Sequence, residues 1–155
     1  MVTSKTPLFA VRSATAADAS TLSELEREAR NEIATFRGHQ SLLREVKFID
    51  TLWGSAIAES SCLVLVAETS GQVVAYAKGD ISTTEGTCSV SHIYVDPLAR
   101  QIGIGAGLIS EIAHIAKDRG CTTLDALALP GDRKMKNLYE RVGMPARLLI
   151  ASKTL

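Results

Sequence analysis

The run Val95-Asp96-Pro97-Leu98-Ala99-Arg100-Gln101-Ile102-Gly103-Ile104-Gly105-Ala106 constrains this chain more than any other. An apolar stretch from Thr87 to Val95 reads as the strand entering it, and Asp96-Pro97 makes a turn. An amphipathic helix leaves it, with Ile104, Leu108, Ile112 and Ile115 on one stripe, joined by Ile109 and Ala116. Gly120 ends that helix behind Lys117 and Arg119, where cations are favoured. The first amides of a helix have no partner inside it, and the dipole adds about half a positive charge there. The expectation is an anion site, most naturally for phosphate. Gly103 and Gly105 would let the anion approach the backbone, and Arg100 would reach it from the rim. A glycine turn that only packs a helix against a sheet is the plain alternative.

Two other phosphate templates fit poorly. A P-loop needs Lys then Ser or Thr after its last glycine, and this chain has Ala106-Gly107. A dinucleotide fingerprint needs a third glycine, where Leu108 stands.

A chain of 155 residues suffices for one domain with its own core. Residues 8–155 read as that domain and residues 1–7 as a loose tail. Seventeen basic residues balance seventeen acidic ones, so no basic face is expected for nucleic acid. No stretch is long and apolar enough to span a membrane, and no basic-then-apolar leader opens the chain. Cys62, Cys88 and Cys121 are widely spaced in apolar contexts, without a C-x-x-C pair. Reduced, structural thiols, no metal and a cytoplasmic location follow as expectations.

Periodicity predicts a first strand over Phe9–Ser13 and a helix from a Thr15/Asp18 capping box to about Asn31. A second helix is expected over Ser41–Leu52. Cys62–Glu68 and Val73–Ile81 read as a hairpin about Thr69-Ser70-Gly71. Beyond the glycine-led helix come a strand near Thr122–Ala128, a helix capped by Asp132 and running through Val142, and a last strand over Ala146–Ser152. Helices, a meander, then β–α–β–α–β make a three-layer α/β plan.

The chain resembles the GNAT superfamily of acyl-CoA-dependent N-acetyltransferases. Tyr94-Val95-Asp96-Pro97 followed by Arg100-Gln101-Ile102-Gly103-Ile104-Gly105 matches the family's R/Q-x-x-G-x-G/A motif and the strand before it. Asn137-Leu138-Tyr139-Glu140-Arg141-Val142-Gly143-Met144 resembles the family's F-Y-E-x-x-G-F helix end. The resemblance implies an α/β (α+β) fold: a three-layer α/β/α sandwich around a mixed, mostly antiparallel sheet, splayed between its fourth and fifth strands. It implies acetyl-CoA in that splay. The diphosphate would lie on Arg100, Gln101, Ile102, Gly103, Ile104, Gly105 and Ala106, and the pantetheine arm along Ile93, Tyr94 and Val95. Asp132 stands where many relatives carry an asparagine that contacts the cofactor, and Arg133, Lys134 and Lys136 beside it could meet a CoA phosphate. Relatives usually close the sheet with two strands after the last helix. Here there is room for one, so either the sheet is a strand short or a second subunit fills the edge as a homodimer.

The implied reaction is attack of a primary amine on a thioester, directly in a ternary complex. The family places a tyrosine near the sulfur, and Tyr139 occupies that position. A phenol of ordinary pKa near 10 can hydrogen-bond or protonate the leaving thiolate. A backbone amide near Val95 could hold the oxyanion. The base is open. Ser89 stands where many relatives carry a glutamate. His92 is the titratable ring in the strand, and Glu28 and Glu32 on the first helix are further candidates, for base work or for binding a cationic acceptor. A non-catalytic acyl-CoA-binding module of the same fold is the alternative reading. The identity of the amine is not legible.

Overall fold

Alternation along two long strands gives the sheet two apolar faces, and helices cover both. A computed structural model describes residues 6–155, so the expected tail lies mostly outside the described residues. In chain order it contains β1 (Ala10–Ser13), α1 (Ala19–Ile33), α2 (His39–Glu45), α3 (Trp53–Ala58), β2 (Cys62–Thr69) and β3 (Gln72–Ser82). Then follow β4 (Thr87–Val95), α4 (Ile104–Asp118), β5 (Thr123–Ala126) and α5 (Arg133–Arg141). The sheet order is β1-β2-β3-β4-β5; only the last pair is parallel.

Leu63, Leu65 and Ala67 on β2 and Ala75 and Ala77 on β3 point to one face, where Ile104, Leu108, Ile112 and Ala116 of α4 cover them. Val64, Val66, Tyr76 and Tyr94 point to the other, beneath Leu22, Leu25 and Ala29 of α1 and Trp53 of α3. Period-two strands between helical stripes thus produce the three layers.

A bulge in β4 changes that alternation. Val90 faces Gly79 and His92 faces Lys78, which leaves Ser91 as the extra residue. Cys88 and Val90 therefore lie on the α4 face, as do Ile93 and Val95 beyond the bulge, while His92 and Tyr94 turn toward α1.

Two expectations need correction. The helix expected over Ser41–Leu52 breaks at Val46, whose backbone is extended, and a short helix, α3, begins at Trp53. Glu26 is the cause. Its buried carboxylate accepts the amides of Ile49 and Asp50, each at 2.9 Å, and the Trp53 indole at 3.0 Å. Those three bonds hold the segment in a non-helical path. Second, Ala146–Ser152 forms no strand. A strand needs a partner for its backbone groups, and here Leu148, Leu149 and Ile150 stand 84%, 79% and 64% exposed.

The entry to α1 carries a titratable anchor. Arg12 donates to both Asp18 oxygens at 2.8 and 2.9 Å, and the Thr15 amide donates to Asp18 Oδ2 at 2.8 Å. The Arg12 hydrogen bonds hold the Asp18 carboxyl down at about 2. A depressed folded-state pKa contributes stability that is fully present above the unfolded value near 3.9 and is lost as pH falls toward 2. Asp18→Asn should therefore cost about 1–2 kcal/mol at pH 7 and little near pH 2. Urea melts at pH 7 and pH 2.5 test this; an equal loss at both would contradict the assignment.

Candidate functional site

β4 and β5 pair only from Thr87 to Val90 against Thr123 to Ala126. β4 then runs on to Val95 with no strand paired along that side among the described residues, and the sheet splays open. The Asp96 amide donates to Val74 O on β3 at 2.8 Å. By alternation, the amides of Tyr94 and His92 face β3, and those of Ile93 and Val95 face the gap. The gap opens a cleft of about 720 Å³. β4 forms its floor, the second half of α1 with α2 forms one wall, and residues 127–129 with α5 form the other.

At the C-terminal end of β4 the backbone curls into α4. Gln101 and Gly103 both adopt left-handed conformations, at φ 72° and 93°. Gly107 is the first to donate back along the helix, to Gly103 O at 2.9 Å, and no side chain caps the end. The amides of Ile104, Gly105 and Ala106 thus have no intrahelical acceptor, and Gln101, Gly103, Ile104, Gly105 and Ala106 line the cleft. Ile102 is 38% exposed and lies outside its lining.

The glycines serve two different ends. Gly103 supplies a positive φ, with only Phe9 Cε1 near its missing Cβ, at 3.9 Å. At Gly105 a Cβ would stand 2.9 Å from Leu138 Cδ2, so its bareness lets α5 close on α4. Gly105 therefore leaves room for the Leu138 side chain of α5 at the start of α4.

Arg100 does not stand free at the rim. It grips Glu32 with both terminal nitrogens at 3.0 and 2.6 Å, donates Nε–H to Val95 O at 2.9 Å, and lies over the Tyr94 ring at 5.6 Å. Spacing along the chain suggested a phosphate contact; the partner on α1 redirects the guanidinium toward the opposite wall. Burial, with the nearby carboxylate Glu28, pushes the Tyr94 phenol up to about 12.

His92 borders the cleft but is only 9% exposed, with both ring nitrogens engaged by the protein. Nε2 lies 3.0 Å from Lys47 O, which can only accept, so Nε2 carries a hydrogen. Nδ1 lies 3.0 Å from Ser91 Oγ. Ser91 in turn donates to Asp80 Oδ2 at 2.7 Å, and Asp80 is paired with the buried Lys78. Glu26 Oε1 is 3.5 Å from His92 Nε2. Despite the desolvation that opposes it, the Glu26 carboxyl is held below the usual range by its hydrogen bonds.

Tyr139 is buried at the foot of the cleft wall, and its hydroxyl reaches only Leu127 O, at a long 3.4 Å. Burial, reinforced by Asp132, raises this phenol well above its ordinary value. Asp132 caps α5, accepting the Met135 amide at 3.0 Å, and borders the cleft. Of the three basic candidates on α5, Lys134 lines the cleft, while Arg133 and Lys136 are exposed and outside the lining. Asn137 and Arg141 line it as well, and the steps of three from Lys134 to Asn137 and of four on to Arg141 along α5 are the signal that points to them. Glu26 was passed over as well, although a carboxylate beside Leu22, Leu25 and Ala29 on an otherwise apolar stripe marks a structural anion.

Comparisons with known proteins agree with this geometry. A model of the acetyltransferase (GNAT) family matches residues 22–144. Over 51 residues the chain is 37% identical to thialysine N-epsilon-acetyltransferase of Bos taurus, a match spanning 33% of this chain and 30% of that protein. Among solved structures, the PaiA N-acetyltransferase of Thermoplasma acidophilum in complex with coenzyme A superposes with a TM-score of 0.70 at 19% identity, covering 86% of this chain and 87% of that one. A ribosomal-protein-alanine N-acetyltransferase from Brucella melitensis gives 0.69 at 21% identity over 95% and 97%.

Proposed function

The chain belongs to the GNAT acetyltransferase family, and we propose that it moves an acetyl group from acetyl-CoA to a primary amine by direct attack in a ternary complex. One observation carries the reading. The open edge of β4 and the unpartnered amides of α4 line one cleft, and Tyr139 borders the same cleft. The diphosphate of acetyl-CoA fits the amides of Ile104, Gly105 and Ala106. Ile93 offers its outward amide and carbonyl, and Val95 its amide, to the pantetheine amides, as a neighbouring strand would. An amide on this edge is also placed to stabilise the oxyanion.

The amine nitrogen forms a bond to the thioester carbon and the C–S bond breaks. Tyr139 hydrogen-bonds the departing sulfur. Its raised pKa makes full proton transfer to a thiolate unfavourable, so its work is donation of a hydrogen bond by a neutral phenol. Both ring nitrogens of His92 are taken up by Lys47 O and Ser91 Oγ, and Glu32 is held by Arg100. We assign neither the base, and the ammonium proton leaves through water. The three free cysteines accord with a cytoplasmic setting.

Thermal melts followed by a thiol-release assay test the reading. Acetyl-CoA at a hundred times its Kd should stabilise the fold by about 2.7 kcal/mol, NAD and ATP should not, and an amine panel should release free thiol. Binding without thiol release would favour the non-catalytic module; no binding would remove the proposal.

The subunit arrangement has its own test. β5 pairs on one side only, and Leu148–Ile150 stand exposed nearby in sequence to α5. We propose that a second copy covers this apolar segment and the β5 edge, giving a homodimer. Light scattering should return twice the chain mass, and Leu149→Lys should return a monomer. A monomeric wild-type protein contradicts the proposal.

A further inference from the structure

The acceptor half of the cleft combines an apolar wall with charges that are already neutralised. Ile33 and Phe36 at the end of α1, Leu43 on α2, and Leu127 and Leu129 beyond β5 line it. The turn into α2 reaches across: a Cβ on Gly38 would touch Leu129 Cδ2 at 3.7 Å. Two carboxylates line the α1 wall, and both have partners: Glu32 is clamped through both oxygens by Arg100, and Glu26 is filled by two amides and the Trp53 indole. The third carboxylate of the cleft, Asp132, lies on the other wall, where it caps α5. Arg30 donates to Val46 O at 3.1 Å and lies over the Phe48 ring at 5.1 Å.

Charged groups entering a desolvated site need counter-ions. A second ammonium on the acceptor would find none here without breaking the Arg100–Glu32 pair. An apolar body, by contrast, removes its surface from water against the wall just described. We infer that the acceptor is a primary amine with a single positive charge on an apolar body, and that Phe36 is a specificity-determining residue for it. This rests on the acetyl-transfer reading above. Polyamines and polycationic sugars are the class the cleft rejects.

The test is acetyl-CoA-dependent thiol release with phenethylamine, phenylalaninamide and spermidine. The first two separate a free amine from the amino terminus of an apolar residue. At least one of them should exceed spermidine in kcat/KM by tenfold or more. Phe36→Asp should lower the favoured monoamine about tenfold and raise spermidine. Phe36→Ala should lower the monoamine without raising spermidine, which separates loss of apolar contact from gain of charge. Circular dichroism and acetyl-CoA affinity report whether each variant is folded. Spermidine equal to or better than the monoamines overturns the inference and leaves acetyl transfer standing. So does a folded Phe36→Ala whose monoamine rate is unchanged. A folded wild-type protein that binds acetyl-CoA and acetylates no amine overturns the proposed function, and the inference with it.

Discussion

Gly103→Val should raise the Kd for coenzyme A at least 100-fold while leaving the protein folded. Gly103 sits at φ 93°, a region that a β-branched residue avoids. The obstacle is conformational and not steric, because the nearest atom to a new Cβ is 3.9 Å away. A valine forced into place stores about 1–2 kcal/mol. Relaxing that strain turns the peptide unit that precedes Ile104 and misaligns the helix-start amides. Hydrogen bonds to a charged group contribute about 1.5–3 kcal/mol each. Loss of two is worth a factor of 100 or more in affinity. Calorimetry gives the Kd, and the melting temperature should fall by only about 5 °C. A Kd within threefold of the parent would show that the loop does not hold the diphosphate.

Tyr139→Phe should lower kcat about 100-fold, the low end of what a positioned donor supplies, with KM for acetyl-CoA within about twofold. Phenylalanine keeps the ring that packs α5, so the fold is preserved. The hydroxyl makes one long bond, to Leu127 O at 3.4 Å, so little native structure depends on it. The pH dependence follows from the sign of the shift. A phenol raised above its ordinary pKa keeps its proton throughout the neutral range, so Tyr139 should impose no alkaline fall in kcat below about pH 10. Stopped-time thiol release across pH 6–10, for parent and variant, measures both effects. Equal kcat in the two proteins would remove the hydrogen-bonding role.

What the sequence disclosed and what it hid divide along a physical line. The helix start at Gly103, the α4 stripe and the β2–β3 hairpin are local, set by residues within a few positions of one another, and they could be read directly. The partners of Glu26 could not, because the three donors that satisfy it lie 23, 24 and 27 residues away. Those same bonds break the helix expected over Ser41–Leu52, so one long-range carboxylate accounts for both misses. Arg100 was legible as a charge and not as a direction, since its partner Glu32 is 68 residues distant. Strand alternation alone could not orient His92, because the single extra residue at Ser91 reverses the parity beyond it. Leu148–Ile150 has strand composition, yet composition cannot supply the neighbour a strand requires.

Backbone amide shifts during titration with coenzyme A bear most directly on the central claim. On this account the largest saturable changes fall on the amides of Ile104, Gly105 and Ala106, followed by Ile93 and Val95, and they share one binding constant. Saturation with those five amides unmoved, or with the largest changes elsewhere in the fold, would contradict it.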